Sequence, residues 1–358
     1  MASVTLDGVS VVVERTELLR DISLWVPDGE VVAVLGPSGS GKSTLLRVVA
    51  GLARAGSGHV RFDGVDVTGV LPGQRDAGMV FQEPALLPNR SVQRNVAFPL
   101  EIRRELADAI TERVGAEARA LHIEHLLHRN PAELSRGEEQ LVQIARALVR
   151  MPSVLLLDEP FSALDEPRRQ AMRAEIALLQ AGYGTTTLIA TNDPADALAL
   201  AHRVVVLAAT DAGEPGRIAQ LGRLAEVRDE PATLTVAMSL GELWPIPVEV
   251  QAAEEGAWLV SGDGSSLRLR SWAPTVAAAV GRRLTLGVRT GDVVIAERGA
   301  QTATVVRSIP GAGRMIIELA GRRVHVPDMD DRRYEAGDEV AVDVVRSFVF
   351  DEAGLRLA

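Results

Sequence analysis

The sequence predicts an α/β domain with a parallel β-sheet and a phosphate-binding loop, followed by a small all-β domain. Three observations support this prediction. A glycine-rich loop lies between an apolar run and a helical pattern within residues 31–50, and a second apolar run, residues 154–157, ends in two acidic residues. From about Trp244 the chain changes to short alternating stretches separated by turn residues, which is typical of antiparallel β-structure.

The overall composition excludes several classes of protein. The 358 residues suffice for two or three domains. Because 38 basic and 48 acidic residues give a net charge of −10, a protein that coats nucleic acid or anionic lipid is disfavoured. The chain has no cysteine, which excludes disulfides, thiolate nucleophiles and Fe–S clusters. It shows neither an apolar span of about 18 residues nor a signal-peptide pattern, so we expect a soluble, cytoplasmic protein.

The glycine-rich loop has the pattern of a P-loop. The motif G-x-x-x-x-G-K-[ST], followed by the first residue of the predicted helix, is formed by Gly36, Pro37, Ser38, Gly39, Ser40, Gly41, Lys42, Ser43 and Thr44. Glycines allow backbone N–H groups to converge on phosphate oxygens, and the helix N-terminus adds partial positive charge. Lys42, the only lysine of the chain, is predicted to contact the β- and γ-phosphates, and the Ser43 hydroxyl is predicted to bind Mg²⁺.

The second apolar run supplies acidic groups for the same chemistry. Residues 154–157 predict a buried strand, and Asp158 and Glu159 follow directly. Asp158 is predicted to hold Mg²⁺, directly or through water, because this hard cation prefers oxygen ligands. Glu159 is predicted to polarise the attacking water as general base. The alternative, a buried strand that ends in surface acids, is disfavoured by the P-loop upstream.

Three further motifs carry a family resemblance. The stretch that resembles the LSGGQ signature of the ATP-binding cassette (ABC) ATPases consists of Leu134, Ser135, Arg136, Gly137 and Glu138. Ser135 and Glu138 also have capping-box spacing, which predicts a helix that ends at Met151 and Pro152. Residues 160–165, which end in Asp165, look like the D-loop of that family, and Gln82 looks like its Q-loop. The resemblance covers about residues 1–235.

The resemblance implies an α/β P-loop ABC ATPase domain over residues 1–235, with a helical subdomain over about 84–150. It implies ATP and Mg²⁺ as cofactors. The implied catalytic residues are Glu159, Lys42, Gln82 and Asn192, and the implied metal ligands are Ser43, Gln82 and Asp158. In this family two ATP molecules lie in a head-to-tail dimer, in which Ser135, Arg136, Gly137 and Asp165 contribute to nucleotide binding. A homodimer is preferred to a heterodimer.

Three positions depart from the family pattern. Arg136 stands where the signature has its middle glycine, so a side chain must fit beside the nucleotide or point away from it. Asn192 stands where a switch histidine is expected, and an amide donates hydrogen bonds but does not carry a proton. Val13 occupies the adenine-stacking position, where it packs on the purine without π stacking. These departures permit slow or partner-dependent hydrolysis, but the remaining motif residues favour an active ATPase.

The C-terminal part resembles the β-rich domain of carbohydrate-importer ATPases of the maltose and glycerol-phosphate type. Residues 286–293 resemble their L-G-[IV]-R-P-E segment, although Thr290 and Gly291 replace proline and glutamate. The resemblance implies a small all-β OB-like domain of the TOBE/MOP type over residues 236–358, which dimerises or receives regulatory signals. Nucleic-acid binding by this domain is disfavoured because aromatic residues make up only 3% of the chain.

The resemblance implies the ATP-hydrolysing subunit of an importer for a sugar or related solute, bound peripherally at the cytoplasmic face of the cell membrane. Its partners would be transmembrane permease subunits and an extracytoplasmic solute-binding protein. Three alternatives stay open: a catalytically weak regulatory subunit paired with another ATPase, an importer ATPase for a polyamine, metal or oxyanion, and an ABC ATPase outside transport. The last is disfavoured because the chain has one cassette and no coiled-coil heptads.

Overall fold

The P-loop and the acidic pair lie at one edge of a six-stranded sheet in the first of two structural units. The computed structural model describes residues 2–162, 164–208, 214–253, 256–261, 266–267, 279–296, 301–309, 314–319, 322–327 and 334–357. The units are Met1–Val227 and Arg228–Ala358. The predicted boundary, between residues 235 and 236, lies further along the chain. Residues around Thr233 fall in the second unit because they pair with the C-terminal segment near Leu355.

The first unit contains two sheets. Its strands are β1 (Val4–Val13), β2 (Thr16–Val26), β3 (Val31–Leu35), β4 (Ser57–Phe62), β5 (Val65–Asp66), β6 (Ala77–Val80), β7 (Val154–Asp158), β8 (Thr186–Ala190), β9 (Arg203–Ala208) and β10 (Arg217–Arg223). One sheet is antiparallel, in the order β2-β1-β4-β5, and the other has the order β10-β9-β3-β8-β7-β6. In the second sheet the strands from β9 to β6 are parallel and β10 is antiparallel to β9.

The parallel sheet brings the predicted motifs together. Every residue of β3, β7 and β8 is buried, as expected for strands covered on both faces. Because these strands are parallel neighbours, the segments that follow them lie at the same edge of the sheet. Those segments carry the P-loop, Glu159 and Asn192 respectively.

Helices cover the sheet and form a separate helical part. They are α1 (Lys42–Ala50), α2 (Val92–Ile102), α3 (Ala107–Ala120), α4 (Arg136–Leu148), α5 (Glu166–Tyr183), α6 (Pro194–Leu200) and α7 (Leu224–Asp229), which ends in the second unit. Helices α2, α3 and α4 are inserted between β6 and β7, and short 3₁₀ turns occupy Pro72–Gln74, Glu124–Leu126 and Pro131–Glu133. Among the residues that the structure describes, no helix is long and apolar enough to cross a membrane.

Residues 107–128 are rich in helix-forming residue types, but they do not form one continuous helix. Helix α3 ends at Ala120, and His122 follows with a positive φ of 54°. The turn redirects the chain so that Leu121, Ile123 and Leu126 are all buried. Burial of three apolar side chains outweighs the small propensity differences that favour continuing the helix.

The second unit is built from strands with one short helix among its described residues. Its elements are α8 (Leu234–Ser239), β11 (Leu243–Ala253), β12 (Gly256–Ser261), β13 (Ser266–Leu267), β14 (Arg283–Arg289), β15 (Val293–Ile295), β16 (Gln301–Ile309), β17 (Arg314–Leu319), β18 (Arg322–Pro327), β19 (Glu339–Val344) and β20 (Phe348–Phe350). They form two antiparallel five-stranded sheets, in the orders β13-β12-β11-β14-β20 and β15-β19-β16-β17-β18. Both sheets contribute to one apolar core. The predicted order of an α/β domain and an all-β domain is confirmed.

Candidate active site

The loop between β3 and α1 contains three glycines with positive φ, Gly36, Gly39 and Gly41, and neighbouring atoms lie close to two of them. Gly36 and Gly41 have φ values of 147° and 91°, a region that other residues rarely adopt. A Cβ atom on Gly36 would lie 2.2 Å from the Leu207 carbonyl oxygen, and one on Gly41 would lie 2.4 Å from Leu19 Cδ2. The predicted strand–loop–helix structure is therefore confirmed; glycine is required at Gly36 by conformation and by space, and at Gly41 chiefly by conformation.

Lys42 is the first residue of α1 and is almost fully buried, with 5% of its surface exposed. Its Nζ donates to the carbonyl oxygens of Gly36 at 2.9 Å and Pro37 at 3.0 Å. Burial lowers the pKa of Lys42, while the carboxylates of Glu159 and Asp158 act in the opposite direction. Two of three ammonium N–H groups are used by the loop, which leaves one for an anionic ligand.

The Ser43 hydroxyl and the Asp158 carboxylate are paired across the loop. Ser43 Oγ donates to Asp158 Oδ1 at 2.7 Å, and Asp158 is 1% exposed. Adjacent oxygen ligands of octahedral Mg²⁺ lie about 2.9 Å apart, so the two oxygens fit one such ion. Among the described residues no group of three or more His, Asp or Glu side chains is placed to hold a metal ion. A metal bound here would need further oxygen ligands, for which water, a phosphate and the predicted ligand Gln82 are the candidates.

Glu159 is the point at which three predicted catalytic residues meet. Gln82 Nε2 donates to Glu159 Oε2 at 3.1 Å, and Asn192 Nδ2 donates to Glu159 Oε1 at 2.5 Å. The Glu159 backbone has a positive φ of 44°, and its N–H donates to the Ala190 carbonyl at 2.8 Å. A positive φ is uncommon outside glycine, and here it turns the carboxylate towards the segment after β8.

The signature residues form a second group. Ser135 caps α4: its Oγ accepts from the Glu138 N–H at 3.4 Å, and Glu138 Oε2 accepts from the Ser135 N–H at 2.7 Å. The predicted capping box is confirmed. The Arg136 side chain is exposed on the surface. A side chain is therefore accommodated where the family signature has glycine.

The D-loop lies beside the signature. Asp165 is exposed and caps α5 by accepting from the Arg168 N–H at 3.2 Å; Ala163 of the predicted D-loop lies outside the described residues. A Cβ on Gly137 would lie 3.2 Å from Leu164 Cδ2, and both residues line a cavity of about 430 Å³. The predicted D-loop also contacts the segment that carries Glu159, because Ser162 Oγ donates to the Glu159 carbonyl oxygen at 3.0 Å.

Val13 lies at the end of β1. It precedes a tight turn in which Glu14 and Arg15 both have positive φ, and it pairs with Thr16 of β2. Its side chain is 45% exposed. The structure therefore leaves an apolar surface at this position, and the adenine contact stays a prediction.

Two features of the site were missed by the sequence analysis. The buried Gly216 lies against the P-loop, where a Cβ would come 2.0 Å from the Ser40 carbonyl oxygen. Gln143 of α4 is buried, and its side-chain amide, in the orientation that satisfies both groups, donates to the Phe81 carbonyl at 3.1 Å and accepts from its N–H at 2.9 Å. No local pattern marks either residue, because both contacts join segments far apart in the chain.

We expect Gly216→Ala to raise the KM for ATP at least about tenfold, since even a 1 Å displacement of binding groups has large effects. The new methyl group would meet backbone rather than a movable side chain, so the loop itself must shift. Gly69→Ala is the matched control, because a Cβ there meets nothing within 4 Å. Steady-state ATPase kinetics would decide, and a wild-type KM in the Gly216 variant would contradict the prediction.

The geometry of strand, phosphate loop, helix and acidic pair defines the class of P-loop nucleotide hydrolases. Residues 19–162 match the family described as ABC transporter. The sn-glycerol-3-phosphate import ATP-binding protein UgpC of Chromobacterium violaceum is 40% identical over 340 residues, covering 93% of this chain and 90% of that protein. UgpC 3 of Agrobacterium fabrum, with the same description, is 35% identical over 358 residues and covers 96% of both chains.

A solved structure shows the same fold. It is described as the dimeric structure of a post-hydrolysis state of the ATP-binding cassette MJ0796 bound to ADP and Pi, and it is 28% identical to this chain, with a TM-score of 0.54. The match covers 62% of this chain and 98% of that one. The chain belongs to the ABC transporter family, as an ATP-binding subunit with ATPase activity.

Proposed function

We propose that this chain is the ATP-hydrolysing subunit of a membrane importer whose solute is sn-glycerol-3-phosphate or a related sugar compound. The observation that supports ATP hydrolysis is the position of Glu159. The side-chain amides of Gln82 and Asn192 hold its carboxylate, and the Ser43–Asp158 pair lies next to it in the site. The names of the relatives, which describe them as import ATP-binding proteins, support import and the class of solute.

A role in this proposal is given to each of the residues around the P-loop, namely Lys42, Ser43, Gln82, Asp158, Glu159 and Asn192. The loop N–H groups and Lys42 bind the phosphates. Ser43 and Asp158 would hold Mg²⁺, and the bound ion would supply positive charge to neutralise the phosphate oxygens. Glu159 polarises the attacking water, and Asn192 and Gln82 orient the Glu159 carboxylate. Gln82 would also be a ligand of the metal.

The signature group acts in a dimer. The dimeric relative supports an assembly of two copies, in which Ser135, Arg136, Gly137 and Asp165 contact nucleotide bound to the partner chain. Val13 would pack on the adenine. The remaining partners are transmembrane permease subunits and an extracytoplasmic solute-binding protein, so the chain works peripherally at the cytoplasmic face of the membrane.

Phosphate release from the chain co-purified with its native membrane partners tests this proposal. We expect release that is stimulated by sn-glycerol-3-phosphate together with the solute-binding protein. Maltose, a polyamine and molybdate serve as comparison solutes. Stimulation by one of these instead would replace the solute, and release that no solute stimulates would contradict the importer.

A catalytically weak regulatory subunit is the second candidate, and Asn192 is the observation that favours it. Asn192 holds the Glu159 carboxylate but exchanges no proton. We expect Asn192→His to raise kcat about threefold to tenfold and to introduce a pH dependence centred near the ordinary histidine pKa of about 6.5. Asn89→His, at an exposed position, is the control for the substitution itself. A kcat–pH profile identical to wild type would show that the missing histidine does not limit the rate.

A further inference from the structure

Arg173 of α5 is the buried centre of an ionic network that has no part in the proposed hydrolysis steps. Arg173 is 8% exposed, and Asp196 of α6 is 3% exposed. Arg173 Nε donates to Asp196 Oδ1 at 2.7 Å, and its two Nη atoms donate to Asp193 Oδ2 and Glu166 Oε1, each at 3.1 Å. One planar guanidinium therefore binds three carboxylates, which the single ammonium of lysine does not reproduce.

The carboxylates of this network fix both neighbours of Asn192. Thr191 Oγ1 donates to Asp196 Oδ2 at 2.5 Å and accepts from the Asp193 N–H at 3.0 Å. Asp193 is bound to Arg173 directly. The residues before and after Asn192 are thus connected to α5, and the Asn192 side chain extends from this support to the general base.

The same end of α5 also holds the D-loop. Its N-cap is Asp165, and Arg169, one turn further along, donates to Asp193 Oδ2 at 2.6 Å and to the Leu164 carbonyl at 3.3 Å. The first two turns of α5 therefore connect the D-loop to the turn after β8. These two segments are distant in sequence, and the arginines are what join them.

We propose that Arg173 is a positioning residue that sets the place of Asn192 on the Glu159 carboxylate and couples that place to the D-loop. The guanidinium fork holds Asp193 and Asp196 in one arrangement, so the backbone between Thr191 and Asp193 has little freedom. A shift of the D-loop when two chains assemble moves α5, and Asn192 moves with it. This inference rests on the proposed function, since it concerns the rate of hydrolysis at Glu159.

The test compares Arg173→Lys, Asn192→Ala and the double variant in steady-state ATPase assays of the full chain with Mg²⁺ and ATP. We expect Arg173→Lys to lower kcat about tenfold with the KM for ATP within about twofold of wild type, because the hydrogen bonds and ion pairs of Arg173 in the described part of the chain go to Glu166, Asp193 and Asp196 and not to the P-loop. In the Asn192→Ala background the same substitution should have no further effect on kcat. A second tenfold loss in the double variant, or an unchanged kcat in the single variant, would overturn the inference.

Two further variants separate positioning from stability. Arg119→Lys changes an exposed arginine of α3, outside the network and the D-loop, and it should leave kcat unchanged. Thr191→Val removes the hydroxyl between Asp193 and Asp196 without changing the shape of the side chain. It should lower kcat about threefold, again without further effect in the Asn192→Ala background. Thr191→Val decides the question if Arg173→Lys does not fold, as judged by its thermal unfolding.

The two proposals fail in different ways. If the wild type shows no turnover that depends on Glu159, the proposed function and this inference are both overturned. Wild-type turnover that is lost in Glu159→Gln, with additive effects of Arg173→Lys and Asn192→Ala, would overturn the inference alone.

Discussion

Glu159→Gln is expected to lower kcat for ATP at least about hundredfold while ATP still binds. The substitution keeps the size of the side chain and removes the carboxylate that would take a proton from water. The groups proposed to hold the phosphates, Lys42 and the loop backbone, do not change. We expect the variant to accumulate as an ATP-bound dimer, which size-exclusion chromatography with light scattering would detect.

The matched control for Glu159→Gln is Glu83→Gln. Glu83 is exposed and adjacent to Gln82 in sequence, so this variant loses the same charge near the same segment without touching the base. Its kcat should equal that of the wild type. If Glu159→Gln hydrolyses ATP at the wild-type rate, Glu159 is not the base, and its two amide contacts have a structural purpose only.

Features that depend on neighbouring residues could be predicted from the sequence. The P-loop and the capping box at Ser135 need a few adjacent residues, because their hydrogen bonds close within one turn. The meeting of Lys42, Asp158 and Glu159 at one sheet edge also follows, since parallel neighbouring strands end at the same side.

Features that depend on distant residues could not be predicted. Gly216 matters because of its distance from Ser40, and nothing in its own neighbourhood indicates that contact. The end of α3 at Ala120 is decided by burial of side chains that follow it, against local propensity. The sequence gives only a weak indication of the Arg173 network. Arg169 and Arg173 are four residues apart, and Asp193 and Asp196 are three apart. These are the spacings at which side chains share one face of a helix.

Lys42→Arg is expected to weaken ATP binding at least about tenfold and to lower kcat about hundredfold, although it conserves the charge. Lys42 is enclosed, and its ammonium lies 2.9–3.0 Å from two carbonyl oxygens of the loop. A guanidinium is larger and planar, so it must displace the loop or leave the carbonyl contacts. Binding of a fluorescent ATP analogue and phosphate release would measure the two effects separately.

Arg47→Lys is the reciprocal control, because Arg47 lies on the same helix and is exposed. Its exchange should change neither ATP binding nor turnover, which would show that α1 tolerates either cation where there is space. Apart from Lys42, all Lys or Arg positions of the chain are arginine. The enclosed loop explains why position 42 has lysine instead. Wild-type ATP affinity in Lys42→Arg would mean that the loop backbone binds the phosphates alone, and the shape of the cation would then not matter at this position.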